Sequence, residues 1–185
     1  MRFKMTSKQR YPFLSITLHW LMLLLLIAVY SCIELRELYP KGSDPREALK
    51  TWHFMLGLSV FCLVWLRLFF RATTYTPVIT PSLANWQKHS AKFMHSCLYL
   101  FMIIMPLAGW LILSAEGNIV PFWGLSLPSL VAENEPLAKT IEELHETTGM
   151  VGYYLIGLHA VAALFHHYVQ KDNTLIRMLP WLSSK

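Results

Sequence analysis

The chain has 185 residues, of which 55% are hydrophobic and only 15% are charged. This composition excludes an ordinary soluble domain, in which about a quarter of the residues are charged. The net charge of +5 does not predict nucleic-acid binding, because the cations are distributed between apolar runs in the manner of a membrane protein.

Four apolar runs are each long enough to cross a hydrocarbon layer of about 30 Å as an α-helix. They predict an all-α fold, an integral membrane four-helix transmembrane bundle that forms a single domain over residues 1–185. The first run is too long for a signal peptide and lacks its small-residue cleavage site, so it counts as a span. The predicted spans cover residues 13–33, 53–70, 93–113 and 149–169.

The Lys and Arg residues are distributed unequally between the segments on the two sides of the predicted spans. Eleven of the sixteen lie in the N-terminal arm, the second connection and the C-terminal tail, where Asp172 is the one acid. The other ten acids lie in the first and third connections. The positive-inside rule therefore predicts that the N- and C-termini are both cytoplasmic.

The connections contain recognisable turn and helix-start signals. Turn residues at 40–45 are followed by a predicted helical segment that ends at Trp52, just before the second span. In the third connection, the stretch 121–128 is predicted to lie along the bilayer surface. Pro136 is predicted to occupy the first turn of a helix that continues into the fourth span.

Ionisable side chains within spans are costly to bury and therefore indicate function. With the N-terminus inside, His19 lies near the cytoplasmic end of the first span and His53 lies near the outer face. In the fourth span, His145 lies near the outer face and His159 follows it by 14 residues. Fourteen helical residues rise about 21 Å and turn by about 320°, so His145 and His159 share one helix face at two depths.

Depth predicts two histidine pairs, His53 with His145 at the outer level and His19 with His159 at the inner level. A b-type haem takes two imidazoles from facing helices, and an iron with both axial positions filled is suited to electron transfer. The sequence therefore predicts two haem b groups, with these four histidines as cofactor-binding residues and iron ligands. Glycines near the ligands offer space for a porphyrin, namely Gly57, Gly149, Gly152 and Gly157.

An alternative remains open for this pattern, because glycines also serve close helix packing and a buried histidine also bonds a neighbouring carbonyl. The other histidines are less informative. His95 begins the third span near the cytoplasmic side. Once His19 and His159 are paired with each other, no further histidine is left to face it, so His95 is predicted to form a hydrogen bond. His166 near the end of the fourth span is interpreted either as part of an interfacial polar cap or as a group that hydrogen-bonds a quinone and supplies protons.

At these residues the chain resembles the bacterial cytochrome b561 family of two-haem, four-helix inner-membrane proteins, over residues 11–180. The resemblance rests on six segments, residues 15–20 (Ser-Ile-Thr-Leu-His-Trp), 34–41 (Glu-Leu-Arg-Glu-Leu-Tyr-Pro-Lys), 144–149 (Leu-His-Glu-Thr-Thr-Gly), 157–160 (Gly-Leu-His-Ala), 166–168 (His-His-Tyr) and 171–180 (Lys-Asp-Asn-Thr-Leu-Ile-Arg-Met-Leu-Pro). The family's axial ligands match His19, His53, His145 and His159.

The resemblance further implies an enzyme activity, because one member of this family oxidises superoxide at the outer face and reduces ubiquinone in the membrane. The expected partners are therefore membrane lipid, ubiquinone, and superoxide or another periplasmic electron donor. Arg36 and Lys41 match cationic positions of the family pattern and belong to a cluster with Arg46 and Lys50 that would attract an anionic substrate. The alternative is that these cations are solvated loop charges balanced by neighbouring acids.

A second hypothesis comes from a different functional class. The chain would be an electron-transfer cytochrome b subunit that docks a dehydrogenase or a periplasmic redox partner and catalyses nothing itself. The predicted docking surface is the segment 114–144, which contains the acidic residues Glu133, Glu135, Glu142 and Glu143.

Overall fold

The computed structural model describes residues 10–179. It is a bundle of four long helices, α1 (Phe13–Leu35), α2 (Asp44–Thr73), α3 (Asn85–Ala115) and α4 (Glu135–Tyr168). All four are long and apolar enough to cross a membrane, which confirms the predicted fold class. The predicted cations Arg2, Lys4, Lys8 and Lys185 lie outside the described residues.

The two ends of the described chain meet at the same end of the bundle. The Tyr11 amide donates a hydrogen bond to the Arg177 carbonyl over 3.4 Å, and the Trp20 indole donates to the Met178 carbonyl over 2.9 Å. This end, which the charge distribution predicts to be cytoplasmic, is called the inner end below. The opposite end is called the outer end.

The helices extend beyond the predicted spans because hydropathy detects only their apolar portions. The second helix begins at Asp44, nine residues before its predicted span, with Pro45 in its first turn. The fourth begins at Glu135, where Asn134 Oδ1 caps it by accepting a hydrogen bond from the Leu137 amide over 3.1 Å. The predicted first-turn position of Pro136 is confirmed.

A short antiparallel hairpin at the outer end was not predicted. Its strands are β1 (Val120–Phe122) and β2 (Leu125–Leu127). The turn between them holds Trp123 and Gly124 at positive φ, 48° and 85°, the backbone conformation that a two-residue hairpin turn requires. The Trp123 indole donates to Ser59 Oγ over 2.9 Å, so the hairpin is fastened onto α2.

Neighbouring helices pack in chain order, α1 on α2, α2 on α3 and α3 on α4. A cluster of Met22, Val60, Val64 and Met102 forms the centre of the packing between α1, α2 and α3. Within residues 10–179, no Cα atom of α4 comes within 8 Å of α1 or α2, so α4 faces those helices across a space bridged by side chains. Residues that reach into this space form the candidate site.

Candidate functional site

The outer histidine pair joins α2 to α4. The His53 and His145 ring centres are 6.3 Å apart, with their planes inclined at 75°. His53 Nδ1 lies 3.0 Å from the Val29 carbonyl oxygen, which can only accept a hydrogen bond, so Nδ1 carries the proton. This leaves His53 Nε2 able to bind a metal, the arrangement usual for a metal-bound histidine.

The inner pair joins α1 to α4 with nearly the same geometry. The His19 and His159 ring centres are 6.2 Å apart, and their planes are again inclined at 75°. His95 also lies at this level, and its ring centre is 5.5 Å from that of His159, a contact that the sequence did not predict. Depth along a helix was predictable, but the rotation that turns His95 toward α4 was not.

Both pairs fit the dimensions of a metal held between two imidazoles. Metal–nitrogen bonds of about 2 Å on opposite sides of one ion place the two ring centres roughly 6 Å apart. Each pair offers two nitrogen donors, the number that a haem iron takes from a protein when both axial positions are filled. Among the described residues, no group of three or more His, Cys, Asp or Glu side chains is arranged to hold a bare metal ion.

A cavity of about 360 Å³ surrounds the outer pair. Its wall includes His53, His145 and three glycines, Gly57, Gly109 and Gly149. A Cβ atom at Gly109 would stand 3.8 Å from His145 Cε1, so a larger side chain there would crowd the ring. A Cβ atom at Gly57 would meet nothing within 4 Å, and one at Gly149 would stand 3.8 Å from Met105 Cε. Gly109 is a further glycine of the cavity wall that sequence spacing did not reveal.

Gly152 has a different role from the one predicted. A Cβ atom at this position would collide with the Tyr30 hydroxyl and with the ring of Phe101. Gly152 therefore permits α4 to pack closely against side chains from α1 and α3, and it provides no room for a porphyrin. The Tyr30 hydroxyl also donates to the Gly149 carbonyl over 2.7 Å, which fixes this close approach.

The mouth of the outer cavity contains charges of both signs. Arg36 and Lys50 are on its wall, whereas Lys41 is an exposed residue away from it. The Arg36 and Arg46 guanidinium groups both bind Glu37 Oε1, over 3.1 and 2.8 Å. Four carboxylates also line the cavity, those of Glu34, Glu116, Glu142 and Glu146.

His166 lies two helical turns beyond His159 on the same face of α4, toward the inner end. Its Nδ1 atom is 2.5 Å from Asp172 Oδ2, and the Asp172 side chain is almost fully buried. A carboxylate only accepts hydrogen bonds, so Nδ1 donates and Nε2 is left for another partner.

Arg177 is also buried at the inner end. Burial lowers the pKa of its guanidinium from the ordinary value, and this guanidinium donates a hydrogen bond to the Pro77 carbonyl over 2.5 Å.

Comparison with known proteins places these residues in a family context. A sequence profile of the prokaryotic cytochrome b561 family matches residues 10–181. The chain is 38% identical over 171 residues to cytochrome b561 homolog 1 of Escherichia coli (strain K12), covering 92% of this chain and 97% of the relative. It is also 38% identical over 172 residues to the probable superoxide oxidase CybB of Yersinia pestis, covering 93% and 97%. Cytochrome b562 of Cereibacter sphaeroides is 28% identical over 181 residues.

Proposed function

The chain belongs to the prokaryotic cytochrome b561 family of haem-binding electron-transfer proteins of the inner membrane, and from this premise we propose that it oxidises superoxide at the outer face and reduces ubiquinone. We assign the outer haem b to His53 and His145 and the inner haem b to His19 and His159. The two haems, when bound, carry single electrons between the outer and inner levels. The observation that carries the proposal is the matched spacing of the two histidine pairs, 6.3 and 6.2 Å between ring centres.

Electron balance supports this pairing of substrates. Each superoxide anion gives up one electron and becomes O₂, whereas ubiquinone takes two electrons and two protons to become ubiquinol. Two one-electron sites in one chain suit this exchange. The Yersinia pestis relative, which is named as a probable superoxide oxidase, supports the choice of donor.

The cations beside the outer cavity are assigned to attraction of the anionic substrate. Arg36 and Lys50 are on the cavity wall, and we propose that they attract the anion at short range. Their attraction is opposed by the repulsion from the carboxylates on the same wall. Lys41 is exposed and away from the wall, so we propose for it only a contribution to the long-range field that steers an anion toward the mouth.

Replacing Arg36 with glutamine is expected to slow haem reduction by superoxide about threefold at low ionic strength. One unit charge about 6 Å from an anion in water contributes about 0.7 kcal/mol, which corresponds to that factor. Stopped-flow absorbance of purified protein mixed with superoxide and ubiquinone measures the rate. Lys41→Gln removes the same charge from an exposed position off the wall and is expected to change the rate less.

Two results would count against this account of the donor. If Arg36→Gln and Lys41→Gln slowed haem reduction by superoxide equally, a cation on the cavity wall would contribute no more than an exposed cation away from it. Haem reduction no faster than spontaneous dismutation permits, already in the wild-type protein, would exclude superoxide as the donor. The assignment to the cytochrome family would be unaffected.

His166 is proposed to hydrogen-bond a ubiquinone carbonyl and to deliver a proton to the reduced ring. With Nδ1 held by Asp172 over 2.5 Å, the ring orientation is fixed and Nε2 is available. His166 is three residues from the end of the predicted fourth span, residues 149–169, where we expect interfacial water to supply protons.

His166→Ala is expected to raise the KM for ubiquinone about tenfold and to leave the haem content unchanged, because one hydrogen bond contributes about 1 to 1.5 kcal/mol. Steady-state ubiquinone reduction with a chemical reductant of the haems measures the KM independently of superoxide. His89→Ala, which alters an exposed histidine in the first turns of α3, serves as the control. An unchanged KM in His166→Ala would place the quinone elsewhere.

The second candidate function is that of an electron-transfer subunit docked to a dehydrogenase or a periplasmic redox protein. The feature that favours it is a set of exposed acidic side chains just before and within the first turns of α4, those of Glu133, Glu135, Glu142 and Glu143. Purification from native membranes discriminates the two. A stoichiometric partner supports the subunit, whereas full superoxide and ubiquinone turnover by the isolated chain supports the enzyme.

A further inference from the structure

Arg67 on α2 lies at the depth of the inner histidine pair. It follows His53 by 14 residues, the same spacing that separates His145 from His159 on α4. Since α2 and α4 run in the same direction, this spacing brings Arg67 to the inner level on the helix face that carries His53.

The Arg67 guanidinium has unsatisfied hydrogen-bonding capacity. Its Nη1 atom is buried and has no hydrogen-bond partner among residues 10–179, and the same holds for the Oγ atom of Ser15. Arg67, Ser15, Arg71 and Tyr11 line a small cavity of about 20 Å³ at the inner end, which admits a group about the size of a water molecule. Thr74, Thr76 and Tyr99 are also on its wall, so two arginines and five hydroxyl-bearing side chains line one small space.

No carboxylate in the described part of the chain forms an ion pair with Arg67. The one acid of the predicted inner segments, Asp172, instead accepts hydrogen bonds from His166 and from the Thr174 amide. Arg67 is half-buried and its Nη1 atom is buried, and a cation without a counter-ion is unfavourable within a membrane span. Residues 10–179 therefore supply no carboxylate counter-ion for Arg67, which makes a bound anionic group the candidate for that role.

We propose that Arg67 binds a propionate carboxylate of the inner haem, with Ser15 and Arg71 completing the anion site. This inference rests on the proposed haem at His19 and His159. Arginine suits the role because its planar guanidinium pairs with a carboxylate through two parallel hydrogen bonds. A lipid phosphate would offer the same oxyanion chemistry, but Arg67 lies at the level of the histidines, more than a helical turn from the end of α2 at Thr73.

The test is redox-difference infrared spectroscopy of the haem-loaded protein, with the haem propionates labelled with ¹³C. We expect Arg67→Gln to shift the labelled carboxylate bands. We also expect it to lower one of the two haem reduction potentials, because a cation near the iron favours the reduced state. A tenfold fall in the reduction equilibrium constant corresponds to 59 mV for one electron. Lys92→Gln removes an exposed cation from the same end of the bundle and is expected to change neither quantity.

Unchanged carboxylate bands in an Arg67→Gln protein that retains both haems would overturn the proposal. So would a change confined to the lipid phosphate bands, which would identify a headgroup as the counter-ion. If Arg67→Gln does not fold, Arg67→Lys keeps the charge but loses the paired hydrogen bonds, and it is expected to shift the same bands with little change in potential. A wild-type protein that binds only one haem would instead overturn the two-haem assignment itself.

Discussion

Replacing His159 with alanine is expected to remove one of the two haems and to reduce superoxide-driven ubiquinone reduction to background. His159 is the α4 ligand of the proposed inner site, 6.2 Å from His19 across the bundle. Without its imidazole, one face of that site lacks a nitrogen donor, and the connection between the outer and inner levels is lost. The haem-to-protein ratio, measured from the reduced-minus-oxidised spectrum, is expected to fall from about two to about one.

His95 could replace His159 as a ligand, because its ring centre lies only 5.5 Å from that of His159. The test must therefore include His95. The double variant His95→Ala/His159→Ala excludes a substitute ligand and is expected to hold one haem. His53→Ala is expected to remove the other haem, with a different residual spectrum, whereas His89→Ala is expected to retain both. A full complement of two haems in the double variant would contradict the assignment of the inner site.

Replacing Gly152 with alanine is expected to destabilise the bundle by about 1 to 3 kcal/mol, the usual cost of overpacking a close contact. The added methyl group would collide with the Tyr30 hydroxyl and the ring of Phe101. Tyr30 cannot yield freely because its hydroxyl donates to the Gly149 carbonyl over 2.7 Å. Gly152 also lies seven residues from each α4 ligand, so a displaced helix would disturb both levels.

Gly157→Ala is the matched control for this substitution. Gly157, which the sequence suggested as space for a porphyrin, is exposed and is not on the wall of the outer cavity. The substitution adds the same methyl group to the same helix, but a Cβ atom there meets nothing within 4 Å. Alanine also favours helix over glycine by about 0.5 to 1 kcal/mol, so we expect stability equal to or above that of the wild type. Thermal unfolding in detergent, followed by haem absorbance, compares the two variants. Equal melting temperatures for Gly152→Ala and Gly157→Ala would show that the close contact is dispensable.

Two features of the site were predictable because they depend on local helix geometry. Hydropathy identified the four spans, since only long apolar helices are compatible with a bilayer core. The 14-residue spacing of His145 and His159 fixed both their relative depth and their shared face. Depth was then sufficient to propose which histidine on the other helices faces each of them, and the structure brings those rings together.

Other features depend on how each helix is rotated about its own axis, which spacing within one helix does not determine. The contact of His95 with His159 and the position of Gly109 beside His145 are of this kind. The cavity wall likewise includes Lys50 from α2 in place of Lys41 from the preceding turn. The hairpin was missed because its three-residue strands are too short to show an alternating pattern.

The most direct test of the central claim is the number of iron porphyrins bound per chain in the wild-type protein and in the double variant His53→Ala/His159→Ala. We expect two low-spin b-type haems per wild-type chain. In the double variant each proposed site has lost one of its two histidines, so we expect no haem that is bound by two histidines. A wild-type chain with a single haem, or a double variant that keeps both haems with unchanged spectra, would contradict the central claim.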